Sequence, residues 1–353
     1  MKLSDIVDRI NGNVDRFTTD LEYYIGGEHI DSNELEISRG GNLKENLGKL
    51  GFKFHFAFQD RDVIFMARNP HLRKAGMVMF SGLCSDASYI LRSKDENVIT
   101  QEFLAVQLQS DHFWDYCERT KVGSVNFANN WTSIANYEFD LPSIDKQKEI
   151  AKKVWAAYNL KKSYRKLLSA TQEMVKSQFI EMFGDTHMRS NYSRQWKEVV
   201  EIINGKDYKS IQVEDGGYPV YGTGGEMARA SDYLSPANSI LLGRKGTLDK
   251  PLLIREKYWN VDTAFGAVPD EKVLHYVYFY WHCKTIDFNV LNKGTTLPST
   301  TKVDLLNLWI KIPSMEEQTR FASIVEQADK SEFELRKSIE AIDQVIQSLI
   351  NNQ

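Results

Sequence analysis

Leu141-Pro142-Ser143-Ile144-Asp145-Lys146-Gln147-Lys148-Glu149-Ile150-Ala151 decides the fold, because the chain repeats it as Ile312-Pro313-Ser314-Met315-Glu316-Glu317-Gln318-Thr319-Arg320-Phe321-Ala322. An offset of 171 residues sets Pro142 on Pro313 and Gln147 on Gln318. After each Pro-Ser comes a segment without Pro or Gly and rich in helix formers, running to Phe183 in the first copy and to the chain end in the second. Two long helices are predicted. Their apolar positions share one heptad register: Ile150, Val154, Ala157, Tyr164, Leu168 and Val175 against Phe321, Val325, Ala328, Leu335, Ile339 and Ile346. Matching seams can pair with each other, or each can pack on its own globular half. The sustained heptads favour pairing. An antiparallel pair would set Ile150 against Ile346, Val154 against Ile342, Ala157 against Ile339, Leu168 against Ala328 and Val175 against Phe321.

Outward from the helices, the rest of the chain is also written twice. Ile6–Gly12 (IVDRING) matches Val199–Gly205 (VVEIING), and Asp62–Arg68 (DVIFMAR) matches Asn238–Arg244 (NSILLGR). The second match places Arg68 on Arg244, Leu72 on Leu248, Lys74 on Lys250 and Asp86 on Asp262. Gly123-Ser124 answers Gly294-Thr295. Short β-prone runs at Phe52 to Phe58, Val63 to Met66, Ser239 to Leu242 and Val273 to Trp281 lie between turn clusters such as Glu214-Asp215-Gly216-Gly217. The expected class is α+β: two mixed α/β domains, 1–141 and 186–312, separated by two long antiparallel, coiled-coil-like helical regions, 142–185 and 313–353. Gly184 is expected to end the first helix in a left-handed cap.

The 353 residues, 42% hydrophobic and 26% charged, fit a soluble globular chain of two or three domains. The first residues carry acids throughout and no apolar run of leader length, and no segment reaches the ~20 apolar residues of a membrane span. A cytoplasmic protein is expected. Cys84, Cys117 and Cys283 lack metal or redox spacing and read as ordinary buried thiols. The net charge of −4 argues mildly against a freestanding DNA binder. The deficit is uneven: residues 1–141 hold 15 basic and 21 acidic side chains, and residues 186–312 hold 16 and 14. No catalytic constellation can be assembled. There is no Walker phosphate loop or zinc-protease helix, Gly222-Thr223-Gly224-Gly225 lacks dinucleotide spacing, and Asn69-Pro70-His71 does not supply an adenine-methyltransferase motif. His275 and His282-Cys283 sit in an aromatic segment that favours core packing over metal ligation.

Leu141-Pro142-Ser143-Ile144-x-x-Gln147-x-x-Ile150-Ala151, with a helix ending Phe183-Gly184-Asp185, resembles the central conserved region of type I restriction-modification specificity subunits. Ile312-Pro313-Ser314-Met315-x-x-Gln318-x-x-Phe321-Ala322 is similar to their distal conserved region. Tyr24-Ile25-Gly26-Gly27-Glu28-His29-Ile30 resembles a segment of the first recognition domain. Tyr218 to Gly225, Ile240 to Gly246 and Asp262-Thr263 resemble segments of the second. The resemblance covers nearly the whole chain in order, with Ala67-Arg68-Asn69-Pro70 departing from the glycine-containing loop of the second copy. It implies two target-recognition domains, each reading one half of a split site on double-stranded DNA, with the helices setting the gap between half-sites. It also implies that the chain is not itself an enzyme. Two methyltransferase subunits would dock on the helices and methylate a flipped adenine in each half-site, and restriction/translocase subunits would complete the complex. No cofactor is expected in this chain; S-adenosylmethionine, ATP and Mg are expected on the partner subunits. The alternatives are a DNA-modifying enzyme with a degenerate active site and a helical-hairpin protein scaffold.

Arg68 and Arg244, each at a turn after a β-prone run, can reach guanine edges or phosphates, or can serve a structural ion pair. His71, Arg73, Lys74, Lys245 and Lys250 extend the same loops. A second pair of loops offers Lys121 and Ser124 in the first half and Lys293, Thr295 and Thr296 in the second, where glycine would let the backbone approach phosphate. Helix capping is the competing role for the hydroxyls. Tyr221 and Thr223 lie on a Gly-rich turn and can reach bases or simply hold the turn. For Gln147 and Gln318 a helix-capping or helix-to-domain hydrogen bond is favoured over a DNA role.

Overall fold

The computed structural model describes residues 1–187, 189–294 and 297–352. It divides into two units: Met1–Lys166 with Arg336–Gln353, and Leu167–Leu335. The first unit contains, in order, α1 (Leu3–Ile6), β1 (Val7–Ile10), β2 (Tyr23–Ile25), β3 (Glu36–Ile37), β4 (Gly41–Asn42), α2 (Leu43–Asn46), β5 (Phe54–Phe58), β6 (Val63–Met66), β7 (Ala75–Val78), β8 (Gly82–Ser85), β9 (Ser88–Ser93), α3 (Gln101–Gln107), α4 (Asp111–Thr120) and α5 (Trp131–Ala135). One sheet has the order β1-β9-β6-β7-β3, the other β4-β2-β8-β5. β6 is apolar at every position because both its faces are covered. Val63 and Phe65 face a core with Phe103, Phe113 and Trp114, and Ile64 and Met66 face another with Ile25, Val78 and Ile90.

Helix α6 (Ile144–Phe183) runs out of this unit into the next, and α10 (Met315–Asn351) runs back. Between them the second unit holds β10 (Ser193–Gln195), α7 (Trp196–Val199), β11 (Val200–Asn204), β12 (Gln212–Val213), β13 (Tyr218–Gly222), β14 (Gly225–Ala230), β15 (Ser239–Gly243), β16 (Leu252–Ile254), β17 (Trp259–Asn260), β18 (Ala264–Pro269), α8 (Tyr276–Thr285), α9 (Lys302–Leu306) and β19 (Trp309–Lys311). Its main sheet, β11-β18-β15-β16, repeats the order β1-β9-β6-β7. Its second sheet runs β12-β14-β13-β17, and β10 pairs with β19. The Val273 to Trp281 run, expected as strand, is instead the start of α8, capped by His275, whose Nδ1 accepts from the Val277 N–H at 3.2 Å. Aromatic and β-branched residues suit strands in isolation. Here burial of Tyr278, Phe279 and Cys283 in one core outweighs that preference.

The two long helices pack antiparallel. In the first unit, Ile150, Val154 and Tyr158 share a core with Ile346 and Ile350; in the second, Val175, Phe179 and Phe183 share one with Phe321, Val325 and Ala328. The layering is shifted from the expected one: the Phe321 ring meets Phe179 and Phe183 at 5.2 and 5.6 Å, one and two turns past Val175. Gly184 closes α6 with φ +63°, its N–H donating to the Ile180 carbonyl at 2.8 Å. No helix among the described residues is long and apolar enough to cross a membrane.

Each helix is pinned to its sheet domain by the repeated glutamine. Gln147 is fully buried: its Nε2 donates to the Val98 and Pro142 carbonyls at 2.8 and 2.9 Å, and its Oε1 accepts from the Thr100 N–H at 3.1 Å. Gln318 repeats the pattern with the Val273 and Pro313 carbonyls at 3.1 and 3.0 Å and the His275 N–H at 2.8 Å. Three bonds by one side chain satisfy backbone groups that burial would otherwise leave unpaired. The helix-to-domain role is the one the structure gives both residues.

Candidate nucleic-acid interface

Within each unit, the two loops proposed from the sequence meet. After β6, the Asn69 N–H donates to the Phe127 carbonyl and the Asn129 N–H to the Ala67 carbonyl, both at 2.9 Å, with Arg68 bridged to Ala128. After β15, the Gly246 N–H donates to the Pro298 carbonyl at 2.8 Å and the Thr300 N–H to the Arg244 carbonyl at 3.0 Å, with Lys245 bridged to Ser299. Backbone bonds therefore join the two loops of each rim, with the Asn129 side chain in the first unit and the Asn292 side chain in the second bracing one of them. Asn69 and Gly246 occupy the matching left-handed position, φ +54° and +82°.

This geometry corrects the repeat by one residue. Arg68 is the counterpart of Lys245, not of Arg244, and Ala67 is the counterpart of Arg244. The Ala67 N–H donates to the Ala87 carbonyl and the Arg244 N–H to the Thr263 carbonyl, both at 2.9 Å, so these two fill one place. The first copy carries one more residue than the second between this point and the aligned Leu72 and Leu248. An insertion in a loop leaves no periodic trace, and the recurring Arg hid it.

The candidate side chains divide by what they touch. Arg68, His71, Ser124, Lys245 and Lys250 are exposed. Arg73 instead pairs with Asp111 at 2.6 Å, and Lys74 donates to the Gly27 carbonyl at 2.6 Å. Lys121 pairs with Glu118 at 2.6 Å and lies 4.5 Å over the Phe127 ring. Lys293 pairs with Asp304 at 2.6 Å. Arg244 is half-buried, donating from Nη1 to the Asp262 carbonyl at 3.3 Å. Thr295 and Thr296 lie outside the described residues.

The glycines of the second loop pair are explained by their turns. A Cβ on Gly123, at φ +104°, would stand 2.6 Å from the Asn126 carbonyl oxygen, and one on Gly294 would collide with the Leu297 carbonyl. At both positions any side chain would strike the carbonyl three residues on, which selects glycine. Room for a phosphate is not required to account for it.

In the second unit Thr223 lies on the wall of a cleft of about 660 Å³, together with Tyr208, Lys209, Met227, Asp262 and Thr263. Tyr221, on β13, stacks edge-on to Tyr258 at 5.8 Å, and burial raises its phenol above the usual range. Tyr208 and Lys209 escaped the sequence reading. Their signal was the run Lys206-Asp207-Tyr208-Lys209, directly after the Gly205 that ends a repeated block. His282 is fully buried, bonded through Nδ1 to Thr186 Oγ1 at 2.7 Å and through Nε2 to the Trp196 indole N–H at 3.4 Å. Burial holds its pKa well below the usual value. It is a neutral core histidine.

Residues 190–344 match the family model described as type I restriction modification DNA specificity domain. By sequence, no curated protein matches. Among solved structures, the chain is similar to a type I restriction-modification system S subunit from M. genitalium, with a TM-score of 0.63 and 12% identity over 99% of this chain and 94% of that one. It is also similar to a chain from a structure of complex assembly and conformational transition in a type I R-M system, with a TM-score of 0.60 and 18% identity over 99% and 95%. At these identities the likeness is one of fold.

Proposed function

We propose, from the match of residues 190–344 to the model of the type I restriction modification DNA specificity domain, that the chain reads a split DNA site for a complex in which other subunits do the chemistry. The observation that carries this reading is the duplication of the loop pair: each unit joins the loop after β6 or β15 to the loop before its last short helix, α5 or α9, and each rim presents exposed polar and basic side chains. Such rims suit contact with base edges and phosphates in a groove. Each unit would read its own half-site. Methyltransferase subunits carrying S-adenosylmethionine would dock on the helices, and restriction/translocase subunits using ATP and Mg would join them. The local clusters Arg68 with His71 and Lys245 with Lys250 supply phosphate contacts that the acidic net charge does not.

The test is a segment exchange in the assembled methyltransferase. Replacing residues 186–312 with those of another family member should alter one half of the methylated sequence and leave the other. A change in both halves, or in neither, defeats the reading. The pure subunit should show no methyl transfer with S-adenosylmethionine, and turnover by it alone would favour the enzyme alternative.

A further inference from the structure

The first unit carries a tip that the second lacks. Residues 43–62 separate β4 from β6, whereas only residues 231–238 separate β14 from β15. The extra length forms α2, β5 and, between them, a turn at Gly51-Phe52-Lys53-Phe54, closed by the Phe54 N–H donating to the Gly51 carbonyl at 3.3 Å. Leu43, Tyr24 and Leu83 form a small core on which Leu47, Leu50 and Phe54 pack. Phe52 stays outside it, 80% exposed, as does Phe17 at 67%. The tip is braced nonetheless. Arg16 donates from Nη1 to the Leu50 and Gly51 carbonyls while its guanidinium lies 4.9 Å over the Phe17 ring, and His55 Nδ1 stands 3.3 Å from the Phe52 carbonyl. By contrast, the phenylalanines of residues 186–312, Phe265, Phe279 and Phe288, are all buried.

The tip lies at the rim end of the unit. Phe54 pairs with Ser85, the last residue of β8, and Lys53 forms an ion pair with the next residue, Asp86, at 2.7 Å. The Ala87 carbonyl then accepts from the N–H of Ala67, one residue before the exposed Arg68. Residues 15–22 and 44–53 together hold four basic and four acidic side chains, so the tip carries no surplus charge. What it offers is ring surface. A single exposed apolar side chain is ordinary, but two phenyl rings tied to one braced tip make a contact surface.

We propose that the Phe52 ring is a wedge that enters between two base pairs of the half-site read by the first unit, unstacking that step and kinking the duplex there. The proposal rests on the DNA-reading function above. Apolar side chains, phenylalanine among them, are inserted between base steps in this way, next to polar and basic residues that hold the strands. Here the exposed Arg68 and His71 of the adjoining rim supply those contacts. The wedge adds a preference that needs no hydrogen bond to a base, because pyrimidine–purine steps unstack most readily. The distortion is one-sided, since the second unit presents no such ring.

The test uses the assembled methyltransferase and duplexes carrying the sequence it methylates, with 2-aminopurine walked through both half-sites. Apart from the methylated adenines, a fluorescence rise should appear at one step, in the first unit's half-site only. Phe52→Ala should abolish that rise and weaken binding about tenfold. It should leave the salt slope, the melting temperature and the signals at the methylated adenines unchanged, because the ring is exposed and uncharged. Phe52→Trp should retain the rise. No rise beyond the methylated adenines, or a rise that survives Phe52→Ala, overturns the wedge. So does a binding loss that thymine-to-uracil replacement reproduces without unstacking, which would make the ring a methyl contact. Weaker capture of methyltransferase subunits by Phe52→Ala in the absence of DNA would mark a protein contact and overturn it equally. Each of these results leaves the reading of a split site standing, which the segment exchange decides separately.

Discussion

Arg68 and Lys245 stand at matching places on the two rims, both exposed, whereas Arg73, Lys121 and Lys293 spend their charge on Asp111, Glu118 and Asp304. Alanine at Arg68 or Lys245 should therefore weaken DNA binding and lower the salt slope by about 1 each, with the melting temperature unchanged. Arg73→Ala should do the reverse, lowering stability by roughly 0.5–1 kcal/mol because its ion pair is half-exposed. Titrations at several salt concentrations, beside thermal melts, separate the two classes. Arg244 is intermediate: if it turns from the Asp262 carbonyl to a guanine, Arg244→Ala costs about 1–3 kcal/mol at one base position only. Residue types and approximate loop positions were legible in the sequence. Which cations are committed was not, because Asp111 and Asp304 are brought to their partners only by the fold.

At the scale of elements, two seams can be tested. Phe321 is fully buried against Phe179 and Phe183, so Phe321→Ala should cost on the order of 3–5 kcal/mol, read by denaturant unfolding. The joint between β3 and α6 is ionic and should fail in acid. Burial alone pushes the Glu34 carboxyl up, but the hydrogen bond from Arg165 and the charges of Lys161 and Arg165 outweigh it and hold the group below the ordinary 4.5. A depressed carboxyl binds fewer protons folded than unfolded, so its stabilisation is complete above about pH 4.5 and fades as pH falls below it. Glu34→Gln should lower stability at neutral pH by roughly 1–3 kcal/mol and flatten the acid limb of the stability profile. The helices were legible because Pro-Ser boundaries and heptads are local signals. Residues 273–281 misled because aromatic content argues for strand, while the buried contacts that make them helix come from distant segments.

For the whole chain, the duplication visible in the sequence reappears in the structure as a shared order of the main sheets, matched glutamine anchors and paired loops. Gln147→Ala and Gln318→Ala offer a symmetric check. Each strands buried backbone groups in its own unit, so each should destabilise by about 2–4 kcal/mol, and hydrogen exchange should localise the loss to residues 98–100 in one case and 273–275 in the other. What the repeat could not reveal is where the copies diverged: the extra residue after β6 and the strand β3, which among the described residues has no counterpart in the second main sheet. Insertions and lost strands break the very correspondence by which a repeat is recognised.

The backbone ties between the loops, Asn69 to Phe127 in one unit and Gly246 to Pro298 in the other, carry a consequence for how such a chain diversifies. Because main-chain bonds, helped by the inward Asn129 and Asn292 side chains, fasten each rim, the exposed side chains there add little to the stability of the fold. Point mutations at positions such as Arg68, Ser124 or Lys245 can then drift through many chemistries without a folding penalty. Under the proposed function, target preference becomes a trait that a lineage can change in single steps while its scaffold stays put.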